Sequence, residues 1–191
     1  NVKPEIDCGR FPAKRTVGER VTVEADIFAD GHDALSALLL YRKEGASLWI
    51  ETPMHPLVND RWRGAFIVKE IGNYDYTLLA WVDRFKSWHQ GFVKKVEARQ
   101  DVALDLLAGS RLIEEAAKSA AGDDQKLLIR FAASLKESQS AALDTGMDDT
   151  LAALMEKYSA RRWAVTYNKE LRVNVERAKA RFSTWYELFP R

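Results

Sequence analysis

With 191 residues, the chain is long enough for one large domain or two small ones with a real hydrophobic core. Apolar residues make up 47% of the chain and charged residues 30%, and 29 basic side chains are balanced by 28 acidic ones. This composition excludes an intrinsically disordered chain, and the charge balance argues against nucleic acid as the main ligand.

The single cysteine, Cys8, cannot form an internal disulfide, which favours a reducing compartment. No window approaches the roughly 18 apolar residues of a membrane helix, and no charged segment followed by an apolar run opens the chain. We therefore expect a cytoplasmic protein without a membrane partner.

Residues 21–96 follow a short, β-like hydrophobic pattern. Val21, Val23 and Ala25 alternate with polar neighbours, which is the two-residue period of a half-buried strand. Turn-forming Gly, Asn and Asp residues separate the apolar runs that follow, and this order predicts five or six strands of an antiparallel, immunoglobulin-like β-sandwich. The further predicted strands lie within 37–41, 48–50, 62–68, 74–82 and 85–96.

After Gln100 the hydrophobic period changes to about 3.6 residues, which predicts three amphipathic helices. The short connections between them favour an antiparallel bundle. The first helix starts at Asp101 and ends at Gly122, the second opens with Asp123-Asp124, and the third follows Gly146 with Asp148 or Asp149 as its cap.

The strand pattern returns between Thr166 and Val175. A helical insert between two strands of one sandwich explains this order, because the ends of an insert usually lie close together. We therefore expect an α+β chain with a discontinuous β-sandwich domain, residues 1–99 and 164–191, and an inserted helical bundle domain, residues 100–163.

Motifs for catalysis or metal binding are absent from the sequence. The three histidines, His32, His55 and His89, lie at no recurrent metal-ligand spacing, and no nucleophile elbow, phosphate loop or dinucleotide motif occurs. Adjacent carboxylates on a helix point about 100° apart, so we interpret the acid pairs as structural. These pairs are Glu114-Glu115, Asp123-Asp124 and Asp148-Asp149. We predict no catalytic, cofactor-binding or metal-binding residue in this chain.

Most of the six tryptophans are expected in the core of the sandwich, because aromatic side chains suit the inner faces of packed sheets. Two of them are candidates for stacking on a sugar ring. Trp49 adjoins the irregular stretch 45–59, and Trp88 is followed by His89. We name Trp49 and Trp88 as possible carbohydrate contacts.

The segment 181–191 places four aromatic residues within eight positions. An apolar segment of this kind is expected to pack against a partner surface. We therefore expect the chain to be the first part of a longer protein.

Six blocks spread along the chain carry a recognisable sequence pattern. They are Asp7–Arg15, Val23–Asp33, Leu40–Arg42, Asn59–Gly64, Ala80–Phe85 and Ala180–Arg191. These blocks resemble the amino-terminal part of the α-1,4-glucan:maltose-1-phosphate maltosyltransferases, a family of the α-amylase superfamily. The helical stretch from Asp101 to Tyr158 resembles the helical insert of that family more loosely.

The resemblance implies a β-sandwich with a helical insert that precedes a catalytic (β/α)8 barrel. The complete family enzyme transfers maltosyl units from maltose 1-phosphate to α-1,4-glucans with retention and releases phosphate. Its nucleophile and its acid/base carboxylate lie in the barrel, beyond Arg191, so no residue here inherits either role. The resemblance also implies homodimer contacts through this region, and no cofactor.

Two functions therefore remain open from the sequence. The first is a non-catalytic assembly and scaffold region of a maltosyltransferase involved in α-glucan and glycogen metabolism. The second is an independent carbohydrate-binding β-sandwich module that uses Trp49 or Trp88. A stand-alone enzyme is the third and weakest alternative.

Overall fold

The computed structural model describes residues 1–137, 139–182 and 187–189, with the backbone alone for residues 139–141. The chain forms two compact units. One, which we call the sheet unit, comprises residues 1–28, 37–80 and the chain from Val165 onward. The other, which we call the helical unit, comprises residues 29–36 and 81–164. The helical unit thus interrupts the sheet unit in sequence.

Ten strands among the described residues form two sheets. The first sheet has the order β1-β3-β7-β6, and the second has the order β2-β10-β8-β4-β5, with β9 also paired to β8. The strands are β1 Val2–Lys3, β2 Ala13–Thr16, β3 Arg20–Asp26, β4 Leu35–Lys43, β5 Ile50–Pro53, β6 His55–Pro56, β7 Arg61–Ile67, β8 Gly72–Val82, β9 Val165–Thr166 and β10 Leu171–Glu176.

β3 with β7, β8 with β10 and β4 with β5 pair antiparallel, whereas β2 and β10 pair in parallel, with Val173 opposite Ala13. The expectation of a purely antiparallel sheet is wrong for this pair. These two strands come from distant parts of the chain, and no hairpin joins them, so chain connectivity imposes no antiparallel direction. The predicted α+β class, a β-sandwich with a helical insert, is confirmed.

The core of the sheet unit lies between the two sheets. Phe66 on β7 stacks on Tyr41 of β4, with ring centroids 4.3 Å apart, and also contacts Tyr74 and Tyr76 of β8. Strand β3 alternates fully buried Val21 and Val23 with more exposed polar residues, as its two-residue period predicts. Aromatic rings from one sheet thus fill the space against the other.

In the described part of the helical unit there are five α-helices. They pack around an apolar cluster that includes Phe92, Ile113, Leu128 and Leu151, each exposed by 1% or less. The helices are α1 Arg84–Glu97, α2 Ala103–Ala117, α3 Gly122–Ser134, α4 Gln139–Gly146 and α5 Asp149–Tyr158. The three helices predicted from the sequence correspond to α2, α3 and α5 and are confirmed.

The strand predicted at 85–96 is wrong, because these residues form helix α1. The Asp83 carboxylate caps this helix by accepting a hydrogen bond from the backbone N–H of Lys86 at 3.0 Å. Phe85, Phe92 and Val96 lie at spacings of seven and four, so they share one helical face that joins the apolar cluster. The aromatic and β-branched residues of this segment favoured a strand prediction, although the capping carboxylate of Asp83 indicated a helix.

No helix among the described residues is long and apolar enough to cross a membrane.

Candidate functional site

Trp49 lies in the sheet unit, just before β5. The guanidinium carbon of Arg42 sits 4.1 Å from the centroid of its ring, and Arg42 also donates a hydrogen bond to Glu170 at 2.9 Å. The neighbouring Leu48 and Ile50 are exposed by 80% and 53%. Because Arg42 covers one face of the half-buried indole, a sugar ring would have to use the other face.

Trp88 lies on α1 in the helical unit and is engaged in packing. Its Nε1–H donates to the carbonyl of Asp105 at 2.7 Å, and its ring stacks on Phe92 at 5.2 Å. A Cβ atom added to Gly109 would lie 2.2 Å from the indole, which shows how closely α2 approaches the ring. Carbohydrate contact stays a prediction for both tryptophans, and Trp88 has less free ring surface to offer.

Neighbouring side chains engage the acid pairs Glu114-Glu115 and Asp123-Asp124 of the helical unit. Glu114 pairs with Lys136 and Glu115 with Arg162. Asp124 accepts hydrogen bonds from Lys157 at 2.8 Å and from the Tyr158 hydroxyl at 2.7 Å. These contacts support the structural interpretation of the acid pairs.

Hydrogen bonds and neighbouring charges also lower the pKa of two carboxyl groups in the acid pairs. The hydrogen bond from Lys157 is the largest cause that lowers the pKa of Asp124. Asp148 caps α5, and hydrogen bonding to Thr150 lowers its pKa. Both carboxylates are stabilised in their ionised form, which is unsuited to the proton-donating role that glycosyl transfer also requires.

A charged cluster that the sequence analysis missed joins the first residues of the chain to the segment before β10. Lys169 donates to Glu5 at 2.6 Å, and the Tyr167 hydroxyl donates to the same carboxylate at 3.2 Å. The hydrogen bond from Lys169 lowers the pKa of Glu5, and burial raises the pKa of Tyr167. No local pattern could reveal this cluster, because its members lie more than 160 positions apart.

The predicted aromatic tail is partly described. Phe182, Leu188 and Phe189 are exposed by 84%, 85% and 79%, whereas Trp185 and Tyr186 lie outside the described residues. Apolar side chains with this exposure are typical of segments that pack against another surface.

The described part of the chain contains no group of three or more His, Cys, Asp or Glu side chains arranged to hold a metal ion. Cys8 is exposed and forms no disulfide.

Comparison with known proteins identifies relatives along the whole chain. The sequence model for domain N/S of α-1,4-glucan:maltose-1-phosphate maltosyltransferase matches residues 1–177. The maltosyltransferase of Chlorobaculum tepidum is 44% identical over 191 residues, covering 100% of this chain and 28% of that protein. That of Myxococcus xanthus is 41% identical, covering 100% of this chain and 30% of the relative.

A third relative, the maltosyltransferase of Methylacidiphilum infernorum, is 35% identical and is covered to 28% of its length. The chain therefore spans less than a third of the length of these relatives. From the match along residues 1–177 and the coverage of the whole chain by these relatives, we conclude that the chain belongs to the α-1,4-glucan:maltose-1-phosphate maltosyltransferase family, as its N-terminal region.

Proposed function

We propose that this chain is the non-catalytic N-terminal assembly and scaffold region of a maltosyltransferase. The complete enzyme is a glycosyltransferase that moves maltosyl units from maltose 1-phosphate to α-1,4-glucans with retention and releases phosphate. The observation that carries the proposal is how much of each protein the match covers. The match covers all of this chain but only 28–30% of the length of the relatives.

Retention requires a carboxylate nucleophile and a second carboxylic acid about 5–5.5 Å away that acts first as acid and then as base. In the helical unit, Glu114, Glu115, Asp123 and Asp124 are engaged in ion pairs, and Asp148 caps α5. We propose that both reacting carboxylates lie in a (β/α)8 barrel C-terminal to Arg191, and that this chain alone is inactive.

Phosphate release from maltose 1-phosphate tests this division of roles. We expect release by the complete cytoplasmic enzyme in the presence of maltooligosaccharide, and none by the 191-residue chain. Phosphate release by the 191-residue chain would contradict the proposal.

Assembly is the positive role that we assign to this region. Helices α2 and α3 carry exposed apolar side chains, with Leu104 at 82% and Ile129 at 56% exposure. We propose that the inserted helical domain and neighbouring strands of the discontinuous sandwich form a symmetric homodimer interface, and that the tail around Phe182 and Phe189 contacts the barrel.

Light scattering tests the assembly role. We expect a dimer for the complete protein, and weaker dimerisation when Leu104 and Ile129 are both changed to Glu. Leu48→Glu, an equally exposed leucine in the sheet unit, is the matched control. A complete protein that is monomeric at all concentrations would refute the assembly role.

The alternative function is an independent carbohydrate-binding module. Its support is Trp49, whose ring is held by Arg42 and flanked by exposed residues. Calorimetry with maltooligosaccharides would favour this function if the 191-residue chain binds them and Trp49→Ala abolishes binding. Trp163→Ala, which removes another exposed indole, is the control.

A further inference from the structure

A groove of about 440 Å³ lies between α1 and α5 in the helical unit. Its apolar lining includes the ring of Phe85 and the side chain of Met155, which are exposed by only 5% and 2% and belong to the apolar cluster. This volume falls within the range of roughly 300–1,000 Å³ that is usual for small-molecule sites.

Three side chains on the groove carry polar groups that the fold leaves without a hydrogen bond among the described residues. His89, Gln90 and Glu156 line the groove, and none of their polar side-chain atoms has a hydrogen-bond partner among the described residues. His89 is held in place by its ring, which stacks on Phe85 with centroids 6.0 Å apart. The imidazole, amide and carboxylate groups therefore remain available to an incoming molecule.

One charged group that lines the groove is buried. Asp83 also lines it, and its side chain is exposed by only 6%. Its carboxylate accepts a hydrogen bond from Ser36 Oγ at 2.8 Å and lies 3.9 Å from the ammonium group of Lys86. Lys86 in turn donates to Ser36 Oγ at 2.8 Å. This triad fixes Lys86, another lining residue, at the groove.

The charges in the groove restrict the class of ligand. The charges of Asp83 and Lys86 offset each other, and the carboxylate of Glu156 disfavours an anion. A purely apolar ligand would leave the amide, imidazole and carboxylate unpaired, which is costly. A neutral polyol ring suits the site, because it places apolar C–H groups on the lining and hydroxyls that both donate and accept toward the polar side chains.

From this geometry we propose that the groove between α1 and α5 binds a neutral mono- or disaccharide, with His89, Gln90 and Glu156 as its hydrogen-bonding residues. The proposal rests on the proposed function only for the choice of maltose as the probe. The Trp88 ring is packed against Phe92, whereas the neighbouring His89 faces the groove and supplies its polar contact there.

Histidine NMR on the full 191-residue chain tests the proposal directly, because the chain contains only three imidazoles. We expect maltose to shift the His89 resonance, assigned from its loss in His89→Gln, and to leave His32 and His55 unchanged. Maltose shifts confined to His32 or His55, or no shift at all, would overturn the site. A His89 shift with inorganic phosphate but not with maltose would overturn the ligand class.

Variants of two exposed residues quantify the contacts without disturbing the core. Gln90→Ala and Glu156→Gln should each weaken maltose binding by about five- to tenfold, the effect of one lost hydrogen bond. Gln100→Ala and Glu97→Gln, which change the same residue types at exposed positions outside the groove, should leave the affinity unchanged. Equal effects of groove and control variants would contradict the assignment.

The test of the groove and the test of the proposed function can fail independently. Maltosyl transfer is measured on the complete protein, whereas the groove is measured through His89 in this chain. Transfer without a His89 response removes the groove and leaves the transferase region. A His89 response without transfer removes the transferase region and leaves the groove.

Discussion

The sheet unit and the helical unit are stabilised by different kinds of contact. In the sheet unit, backbone pairing joins strands that are distant in sequence, such as β2 and β10, and charged side chains cross between strands. Arg61 on β7 pairs with Asp26 at 2.7 Å and with Glu24 at 3.2 Å, both on β3.

In the helical unit, local capping and close apolar packing dominate. Asp83 and Asp148 cap α1 and α5, and glycines let neighbouring helices approach the aromatic rings of α1. The charge-rich sheet unit should therefore respond most to pH, and the tightly packed helical unit should respond most to changes of side-chain volume.

The largest expected effect comes from truncating an aromatic side chain in either core. Phe92→Ala in the helical unit and Phe66→Ala in the sheet unit each remove a nearly fully buried ring, and each should lower the free energy of unfolding by about 3–5 kcal/mol. Hydrogen exchange should show the loss first in the amides of the unit that carries the change. Equal loss of protection in both units for both variants would mean that the two cores unfold as one.

A pair of glycines tests the close packing of the helical unit. Gly109→Ala places a Cβ 2.2 Å from the Trp88 ring, so we expect a destabilisation of about 1–3 kcal/mol. Gly91→Ala, on α1, has no atom within 4 Å of the added Cβ and should stabilise the protein by about 0.5–1 kcal/mol. Urea unfolding measures both, and the same sign for the two variants would contradict the packing argument.

Much of the fold was predictable because its signals are local. The two-residue alternation around Val21 and Val23 predicted β3, and the 3.6-residue period after Asp101 predicted α2, α3 and α5. Helix α1 was missed, because its aromatic and β-branched residues also suit a strand and only the cap at Asp83 distinguished the two. The parallel pairing of β2 with β10 has no local signal at all.

The candidate site was less predictable, because it depends on packing between separate segments. Trp88 drew attention through its neighbour His89, but Gly109 on another helix decides how much of its ring is free. His89 and Glu156 line one groove although 67 positions separate them, and no spacing rule connects them. A single sequence supplies candidate side chains, whereas their accessibility follows from tertiary contacts.

The cap of α5 should contribute less than the cores. Asp148→Ala removes hydrogen bonds to the backbone N–H groups of Thr150 and Leu151, and should cost about 1 kcal/mol. Asp149→Ala, at the next and more exposed position, should lower the free energy of unfolding by only a small fraction of that amount. Thermal unfolding compares the two, and equal shifts would argue against capping as the cause.

Acidification should produce the smallest and most selective effect. Hydrogen bonds from arginines lower the pKa of Glu24 and of Asp26 on β3. A carboxyl group whose pKa is lower in the folded state stabilises the fold above its unfolded pKa of about 4, and this contribution is lost as the pH falls below that value.

We therefore expect the sheet unit to lose more stability than the helical unit as the pH falls from about 5 to about 2, because more of its carboxyl groups are paired with arginine or lysine. Glu24→Gln should reduce this pH dependence, since it removes a titrating partner of Arg61 and Arg63. Glu97→Gln, in an exposed position on α1, should leave it unchanged. Thermal unfolding followed by NMR signals from each unit measures the difference. Equal losses of stability in both units on acidification would show that interstrand ion pairs do not cause a difference in pH response between them.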